Sequence, residues 1–462
     1  MKISPILALS DEAIVNSFNN EALVIYAHEQ SFVFSKNETL LCNLIKLLDE
    51  RSYTEEEIVN KAIEKRGSMI HLAEAYYCIN YLRSKNLIDF IIGNSEASIL
   101  IEFANHYTTY KEWLEATQSD LLILSRFALM RKQNKYFLWE TPLSAIRIKT
   151  MHQSVVDLLL QFVSPQSFAE VLQNTRLDKG LAVRILTAFK EANILLNEAQ
   201  EAKPIFEQWQ FHDLLFHARS RLGRTKEPLG GLYPFIGKIP PLPALKEYNN
   251  HETIQLSCPK SEDIKKSFLD LVASRRSCYP GVQNVLNATE LGFFLYHCAR
   301  VVYETSYTHY GVQVDTAGRP YPSAGGLYEL EIYPLVKHCI DLEKGLYHYN
   351  PKQHSITPLP TLPENLDKTI SFIDQASKGS QVLLMITARF PRLAWKYRSC
   401  AYALMLKDVG VLIAYMYLFA EYYGLSGCAI GCGNADLFAS MANINYYDEP
   451  YVGDFLLGKK DT

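Results

Sequence analysis

Two adjacent arginines begin the part of the sequence that is best suited to bind a small ligand. Arg275 and Arg276 stand between Ser274 and Ser277. An arginine guanidinium forms charge-assisted, often bidentate hydrogen bonds, and a serine hydroxyl adds a further donor. Phosphate groups and ring carbonyls are the partners that fit such a set. By itself the segment is weak evidence, because most adjacent arginines are simply solvated.

Two glycine-containing segments follow, and both let the backbone approach a flat ligand. Residues 322–326 read Pro-Ser-Ala-Gly-Gly and precede a strand-like run, although an ordinary turn has the same composition. Residues 424–434 follow a long apolar helix. A dinucleotide fingerprint needs Gly-x-Gly-x-x-Gly between a strand and a helix, so the context excludes it. A glycine-rich loop that passes a ring edge remains.

The elements around these segments mix helices and strands. Periodicity predicts helices over residues 264–271, 290–302 and 398–423, strands over 329–336 and 381–387, and a hairpin over 345–356. The helix over residues 398–423 is apolar nearly all round, so it must be covered in a core or at a subunit interface. This order predicts an α+β fold for a C-terminal domain, residues 259–462.

The first 200 residues repeat one order of helix signals. Thr54 to Glu57 and Ser167 to Glu170 both read as capping boxes, and a second apolar helix follows each. In the first copy that helix ends near Asn86. We interpret residues 1–100 and 101–200 as two winged-helix-like domains. Residues 201–258, punctuated by prolines and glycines such as Pro228, would be an extended connector that wraps over the surface.

Composition and charge limit the classes of function. The chain has 462 residues, 46 Lys and Arg, 50 Asp and Glu, and a formal charge of −4. This balance argues against a protein that coats nucleic acid. Residues 1–100 contain 14 acidic and 9 basic residues, and residues 101–200 contain 10 and 11. Since DNA binding depends on Lys and Arg at the phosphates, the acidic first domain argues against it.

Neither a membrane span nor a secretory signal is predicted. The longest uncharged apolar run, residues 409–420, is shorter than the ~20 residues that cross a bilayer. The apolar run near the N-terminus is too short for a signal peptide. Nine cysteines are scattered, and the one close pair, Cys428 and Cys432, lacks further ligands for zinc. We expect a cytoplasmic protein with free thiols and without a metal site.

Taken together, the three ligand-suited segments resemble the flavin-binding segments of the nitroreductase-like superfamily, and within it the SagB-type dehydrogenases. That subgroup carries Pro-Ser-Ala-Gly-Gly-Leu-Tyr/His-x-x-Glu, which this chain matches from Pro322 to Glu331. Residues 209–223 and 237–243 resemble the lead-in to the same domain. The resemblance covers residues 209–462, and the first 200 residues match only in architecture. Length and tandem N-terminal domains are most similar to the cyanobactin thiazoline oxidases.

The resemblance implies a homodimeric, FMN-dependent azoline oxidase. Such enzymes convert thiazolines and oxazolines, made from Cys, Ser or Thr in a ribosomal peptide, into thiazoles and oxazoles, and oxygen would reoxidise the flavin. The implied cofactor contacts are Arg275, Arg276 and Ser277 at the FMN phosphate, ribityl chain and pyrimidine edge; Pro322, Ser323, Ala324 and Gly325 along the isoalloxazine from the other subunit; Ala429, Ile430 and Gly431 near N5; and Lys459, or alternatively Lys460, at the phosphate. Nitroreductases usually have another Arg two residues beyond the serine, where Tyr279 stands here.

The family's catalytic Lys-Tyr pair aligns with Lys396 and Tyr397, just before the long helix. Making an azole removes two hydrogens. We expect a base to take the acidic proton beside the C=N bond while hydride leaves the neighbouring carbon for the flavin. Lys396 can be this base if burial and nearby arginines lower its pKa toward ~7–8, with Tyr397 orienting it or shuttling the proton. Without the resemblance, such a pair is typical of a protein surface.

A peptide substrate also gives the N-terminal domains a role. They would clamp the heterocyclised precursor peptide by adding it as a strand to a sheet edge, or serve as remnants used for dimer contacts. Two other functions fit parts of the sequence. An NAD(P)H-dependent nitro or quinone reductase uses the same fold, but it needs neither the extra domains nor the Ser-Ala-Gly-Gly-Leu-Tyr segment. A flavin-sensing winged-helix regulator is disfavoured by the acidic first domain.

Overall fold

The chain forms two compact units, residues 1–228 and 229–462. The structure is a computed structural model. It describes all residues except 1, 4–5, 11–12, 19–21, 28–29, 36–37, 65–68, 86, 104–112, 115–118, 226, 228, 249–251, 260–265, 432 and 462. The predicted helix end at Asn86 and the predicted connector residue Pro228 therefore lie outside the described residues.

Unit 1 mixes short strands and helices. Its strands are β1 (Lys2–Ile3), β2 (Ile6–Leu9), β3 (Ile14–Phe18), β4 (Ala22–Ala27), β5 (Gln30–Ser35), β6 (Tyr53–Thr54), β7 (Ile88–Gly93), β8 (Ser98–Phe103), β9 (Trp113–Leu114), β10 (Leu121–Leu124), β11 (Leu129–Gln133), β12 (Tyr136–Glu140), β13 (Ile146–Thr150), β14 (Gln166–Ser167) and β15 (Leu195–Asn197). Its helices are α1 (Thr39–Glu50), α2 (Glu55–Ile63), α3 (Met69–Ser84), α4 (Gln153–Leu160), α5 (Phe168–Asn174), α6 (Lys179–Glu191), α7 (Glu198–Glu201), α8 (Pro204–Gln208) and α9 (Phe211–Arg219).

Both predicted capping boxes form. Thr54 accepts the N–H of Glu57, whose carboxylate accepts the N–H of Thr54 at 2.8 Å. Ser167 and Glu170 make the same reciprocal pair at the start of α5. Each box follows a two-residue strand, and each of these strands pairs with a strand from earlier in its own copy, β2 or β10. The sequence repeat is therefore also a structural repeat.

The two copies share one hydrophobic core. A single cluster of buried residues runs from Leu7 in β2 to Leu195 in β15. A seven-stranded sheet in the order β11-β12-β13-β8-β7-β2-β6 joins the first copy to the meander over residues 129–150. Trp139 of that meander packs edge-on against Phe189 of α6 with ring centroids 6.1 Å apart. Unit 1 is thus one packed body, although its sequence divides into two repeats.

Unit 2 is built on one large antiparallel sheet. Its strands are β16 (Gly230–Gly231), β17 (Ile254–Gln255), β18 (Tyr303–His309), β19 (Val312–Gly318), β20 (Leu330–Val336), β21 (Gly345–Asn350), β22 (Ser355–Leu359), β23 (Val382–Ala388), β24 (Tyr397–Arg398), β25 (Leu425–Ile430) and β26 (Tyr451–Lys459). Its helices are α10 (Phe268–Ser274), α11 (Ala288–Ala299), α12 (Pro363–Ala376), α13 (Phe390–Ala394), α14 (Ala401–Tyr422) and α15 (Ala435–Ala442). The sheet order is β17-β22-β21-β20-β23-β26-β25.

Helices cover both faces of this sheet. Alternate residues of β23 enter different cores: Leu384 and Ile386 contact the cluster that contains α11 and α14, and Leu383 and Met385 contact the cluster beneath α12 and α15. Side chains of a strand point alternately to opposite faces, so a strand buried on both sides is apolar throughout. This arrangement confirms the α+β class predicted for the C-terminal region.

The long helix α14 lies near the centre of unit 2. By length and composition Ala401–Tyr422 could cross a membrane, a property that a buried core helix also has. Met405, Leu412 and Met416 are fully buried, whereas Tyr402 and Leu406 remain exposed. The carboxylate of Asp408 is buried within the apolar run and accepts hydrogen bonds, as described below. The helix therefore combines a core face with an exposed one.

Two predictions of local structure were wrong. The glycine-rich segment after α14 is not a loop, because residues 425–430 form β25 and pair with β26. Gly427 permits this packing, since a Cβ there would lie 2.4 Å from the ring of Phe455. The predicted connector, residues 201–258, is also not extended throughout, because residues 204–208 and 211–219 form α8 and α9. From residue 229 onward it belongs to unit 2, where β16 pairs with β24. The first residues of the helix predicted over 264–271 fall outside the described part, and α10 begins at Phe268.

Candidate active site

The arginine segment follows the end of α10 and packs on α14. The guanidinium carbon of Arg275 lies 5.2 Å from the centroid of the Tyr417 ring. The Ser277 hydroxyl donates to the Tyr417 hydroxyl at 3.0 Å, and that hydroxyl accepts the backbone N–H of Ala429 at 2.8 Å. Tyr417 thus joins two of the predicted cofactor segments. We call Arg275, Arg276, Ser277, Tyr417 and Ala429 the arginine site.

Neither arginine faces a counter-charge among the residues that the structure describes. Arg276 donates to the backbone carbonyls of Ala273 and Arg275, at 2.9 and 2.8 Å. Within the described part of the chain, no carboxylate forms an ion pair with either guanidinium. Both side chains are also at least partly exposed. The arginine site can therefore accept an anion without first breaking an ion pair.

The two candidate lysines at the C-terminus point to different places. Lys459 forms an ion pair with Glu290 at 2.6 Å. Lys460 lies 3.2 Å from Glu421, and the other oxygen of Glu421 accepts the hydroxyl of Ser274 at 3.0 Å. Ser274 directly precedes Arg275. The structure therefore brings Lys460, rather than Lys459, to the arginine segment.

The Pro-Ser-Ala-Gly-Gly turn is held by the long helix. Asp408 of α14 accepts the backbone N–H of Ala324 at 2.7 Å, and the same oxygen lies 3.0 Å from the Ser323 hydroxyl. The Ser323 oxygen also accepts the N–H of Tyr328 at 3.0 Å. Gly325 and Gly326 have φ of +61° and +69°, a left-handed conformation that favours glycine. Sequence reasoning singled out the turn but missed Asp408, although a charge within an apolar helix was a usable signal.

A second carboxyl group lies beneath this turn. Glu329 is fully buried, and one of its oxygens lies 3.1 Å from the Ser323 hydroxyl. Burial, and then the nearby Asp408 carboxylate, raise the pKa of Glu329 to about 8. Its other oxygen has no hydrogen-bond partner among the described residues. A proton on Glu329 removes the charge repulsion between the two carboxylates.

Lys396 and Tyr397 lie directly over Gly325. The Lys396 Nζ donates to the Gly325 carbonyl at 3.3 Å. A Cβ on Gly325 would lie 2.6 Å from the Tyr397 hydroxyl and 2.7 Å from the Lys396 Nζ, so that only glycine fits. Burial, and then the neighbouring Tyr233, raise the pKa of Tyr397. We call Ser323, Ala324, Gly325, Lys396 and Tyr397 the lysine site; Pro322 leads into its turn.

A single chain does not bring the two sites onto one side of α14. Asp408, which holds the lysine site, and Tyr417, which belongs to the arginine site, are nine positions apart on this 22-residue helix. At 1.5 Å and 100° per residue, nine positions correspond to ~14 Å along the axis and about half a turn around it. The two sites therefore lie on opposite faces of the helix. Of the third predicted segment, Ala429 and Ile430 belong to β25, Gly431 follows it exposed, and Cys432 is outside the described residues.

Two family models match the chain. The model of the nitroreductase family matches residues 312–459, and that of the cyanobactin oxidases matches residues 122–226. The second match corrects one expectation, because similarity to the cyanobactin oxidases in sequence, and not only in architecture, reaches into unit 1. The match to the nitroreductase model covers the lysine site, Ala429 to Gly431 and Lys459.

Individual relatives agree with these matches. The chain is 26% identical over 181 residues to a nitroreductase-family protein of Methanocaldococcus jannaschii, which covers 39% of this chain and 85% of that protein. It is 29% identical over 113 residues to the microcin B17-processing protein McbC of Escherichia coli, covering 23% of this chain and 42% of that protein.

Solved structures that are similar to the chain match less than the whole of it. The Escherichia coli microcin synthetase McbBCD complex with truncated pro-MccB17 bound has a TM-score of 0.34 and 20% identity, covering 44% of this chain and 77% of that one. A nitroreductase with bound FMN from Bacteroides fragilis has a TM-score of 0.26 and 14% identity, covering 43% and 90%. The family matches and the relatives together lead to one conclusion: residues 312–459 match the nitroreductase family, and the chain is an oxidoreductase that resembles the SagB-type azoline oxidases.

Proposed function

We propose that the chain oxidises thiazolines or oxazolines in a ribosomally made peptide to thiazoles or oxazoles, with FMN as its cofactor. One observation carries the proposal. Lys396 and Tyr397, the pair implied to be catalytic, lie directly on Gly325 of the turn implied to line the flavin. These residues are about 70 positions apart in the sequence, so their contact is independent of the motif match itself.

The residues of the arginine site fit FMN. Two guanidiniums without an ion pair among the described residues, together with the Ser277 hydroxyl, suit a phosphate and a polar ribityl chain. β25 is the last strand of its sheet, so its outer edge, where the N–H of Ala429 donates to Tyr417, can face a ring edge at Ile430. A Cβ on Gly431 would meet nothing within 4 Å. Bound here, FMN would accept the hydride that leaves the substrate.

The proposed roles of the two catalytic side chains follow from their positions. The proton beside the azoline C=N bond passes to the Lys396 amine, while a hydride leaves the neighbouring carbon and a C=C bond forms between the two carbons. Tyr397 orients this amine or passes the proton onward. We further propose oxygen as the final electron acceptor and the cytoplasm as the place of action.

We propose that two copies of the chain complete each flavin site. The lysine site and the arginine site lie on opposite faces of α14, so one chain cannot close both around one ring. The same helix exposes Tyr402, Leu406, Gly410 and Ala414, an apolar stripe at four-residue spacing. A second copy that packs on this stripe would bury it. The homodimer thus supplies the turn of residues 322–325 from one subunit and the arginine site from the other.

We propose that unit 1 holds the leader of the substrate peptide. We interpret it as two winged-helix-like repeats, and the first repeat includes the small sheet β3-β4-β5, whose outer strands carry the exposed side chains Ile14 and Val33. Free strand edges with exposed apolar residues can accept a peptide as an added strand. Deleting residues 1–200 should then raise the KM for a leader-bearing peptide and leave that for a short azoline unchanged. Equal KM values for the deleted and full-length enzymes on the leader-bearing peptide would refute the clamp.

The direct test is incubation with a peptide that contains a thiazoline. We expect a loss of 2 Da per ring, about the mass of two hydrogens, as the stoichiometry requires. Lys396→Ala should retain flavin and lose this conversion, whereas Lys344→Ala, an exposed lysine paired with Asp367, should behave as the unmodified enzyme. No mass loss with the unmodified enzyme would refute the function. An unchanged rate in Lys396→Ala would remove Lys396 from the mechanism.

A nitro or quinone reductase is the second candidate function. It is favoured by the match to the Methanocaldococcus jannaschii protein, which spans most of that protein's length. Such an enzyme draws electrons from NAD(P)H. Rapid bleaching of the bound flavin by NADPH without peptide would support it, and an oxidised flavin under the same conditions would exclude it.

A further inference from the structure

The amine of Lys396 lies among three tyrosine rings. Its Nζ is 5.8 Å from the ring centroid of Tyr233, 5.7 Å from that of Tyr307 and 5.6 Å from that of Tyr397. We propose that Tyr233 and Tyr307 are positioning residues that fix this amine beside the Gly325 carbonyl and stabilise the charge that forms on it. The connector that carries Tyr233 is then part of the active site. This inference rests on the proposed function.

The backbone places the connector next to Lys396. The N–H of Tyr233 donates to the carbonyl of Lys396 at 3.0 Å. Two residues earlier, Gly231 pairs with Tyr397 in the β16–β24 ladder. A Cβ on Gly231 would already lie 3.8 Å from the side-chain carbon Cε of Lys396. The close approach of the connector therefore sets where the Lys396 side chain can go.

The Tyr233 ring is itself held in place. It contacts the ring of His309 with centroids 3.8 Å apart and planes tilted by 33°, and it meets Trp395 edge-on at 5.6 Å. The indole of Trp395 in turn donates to the carbonyl of Ile239, further along the connector, at 2.7 Å. Tyr233 also has φ of +50°, an uncommon left-handed conformation for a non-glycine residue. Such a conformation persists only where its surroundings enforce it, and it is concentrated at functional sites.

Tyr307 closes the cage from the hairpin of β18 and β19. Arg392 anchors this hairpin, because it donates to the carbonyl of Asp315 in β19 at 2.7 Å. Burial, and then Tyr233, raise the pKa of the Tyr307 phenol. The ring therefore stays uncharged at neutral pH and offers its π face to Lys396.

The cage acts on the charge that the reaction creates. When the substrate C–H bond breaks, its proton forms a new N–H bond to Lys396, whose amine becomes an ammonium ion. The bonding electrons form the C=C bond as the hydride leaves for the proposed flavin. Tyrosine faces attract a cation, and the Gly325 carbonyl accepts one of its N–H groups. Groups already aimed at a developing charge stabilise the transition state more than the ground state.

The first test separates the rings from the hydroxyls. Tyr233→Phe and Tyr307→Phe keep the π faces and should keep kcat within about twofold. Tyr233→Leu and Tyr307→Leu remove one face each, and kcat should fall about tenfold while the KM for the peptide stays constant. A Leu variant with the kcat of its Phe counterpart would overturn the proposal. A Leu variant that fails to fold is replaced by Met at the same position, which has similar volume and no ring, with the same expectation.

The second test reads the position of the amine without turnover. Lysines of the full chain are reductively methylated with a ¹³C label, and Lys396→Arg assigns the Lys396 methyl resonance. The ring currents of the three tyrosines should shift the Lys396 methyl resonance upfield of the resonances of the exposed lysines. Tyr233→Leu removes one ring and should move the resonance back toward them. A resonance that Tyr233→Leu leaves unchanged would overturn the cage. If the resonance moves as expected but the unmodified enzyme makes no azole, the cage stands and the proposed reaction fails.

Discussion

Gly325→Ala should disrupt catalysis far more than folding. Two costs arise from the structure. Any L-residue at φ of +61° loses ~1–2 kcal/mol of backbone energy. In addition, the new Cβ would lie 2.6 Å from the Tyr397 hydroxyl and 2.7 Å from the Lys396 Nζ. Ordinary contacts begin at 3.4 Å, so both reactive atoms must move by about 0.7 Å or more. A displacement of ~1 Å at reacting groups costs about a hundredfold in rate.

Gly326→Ala is the matched control. Gly326 has φ of +69°, almost the same backbone cost, and a Cβ there would meet nothing within 4 Å. Both variants should lower Tm by ~2–8 °C, as ~1–2 kcal/mol does in a unit of this size. Only Gly325→Ala should lose about a hundredfold in the rate of 2 Da mass loss on a thiazoline peptide. Equal rates in the two variants would refute the contact between the turn and the catalytic pair.

Three further changes test other parts of the site. Arg276→Gln should weaken FMN binding about tenfold or more in a fluorescence titration, because a charge-assisted contact is lost, whereas Lys344→Gln should not; equal affinities would remove Arg276 from the cofactor site. In the native state Glu329 has a pKa of about 8 and keeps its proton up to that pH, whereas the unfolded chain releases it near the ordinary glutamate pKa of 4.5. The free energy of unfolding should therefore fall as pH rises through this window, by up to ~1.4 kcal/mol per pH unit. Glu329→Gln should flatten that dependence in urea titrations, and an unaltered slope would contradict the buried proton. Leu406→Glu, in the exposed stripe of α14, should turn a dimer into a monomer in sedimentation, and an unchanged dimer would place the interface elsewhere.

Short sequence patterns correctly predicted the elements that depend on interactions between neighbouring residues. The capping boxes at Thr54 and Ser167 form because both partners lie within one helical turn. The long helix and the hairpin over residues 345–356 likewise follow from patterns a few residues long. In contrast, the glycines of residues 425–430 weaken the strand pattern and predict a loop. Only the pairing with β26 makes this segment the strand β25.

Short sequence patterns could not predict the side chains that join the segments of the site, because their partners are distant in the sequence. Tyr417 and Asp408 sit in an apolar helix, and their partners Ser277 and Ser323 lie 85 to 140 positions away in the sequence. Tyr233 lies in a segment whose prolines and glycines predict only an extended chain. Its place beside Lys396 depends on a strand pairing between residues about 165 positions apart. The sequence could therefore supply the segments of the site through a resemblance, but not the residues that join them.

The faces of α14 indicate how the proposed homodimer would combine the arginine site of one subunit with the lysine site of the other. Tyr417 follows Gly410 by seven positions, about two turns, so the arginine site borders the exposed stripe. Asp408 is two positions from both Leu406 and Gly410, so it faces away from the stripe and holds the turn of residues 322–325. In an antiparallel pairing across a two-fold axis, the last turns of one helix lie beside the first half of the other. In the proposed homodimer, the arginine site near the end of one α14 would then lie beside the start of the other α14, the end that Lys396 and Tyr397 precede. In that proposed dimer, Asp408 would fix the turn of residues 322–325, and with it Lys396, relative to the helix that forms the interface.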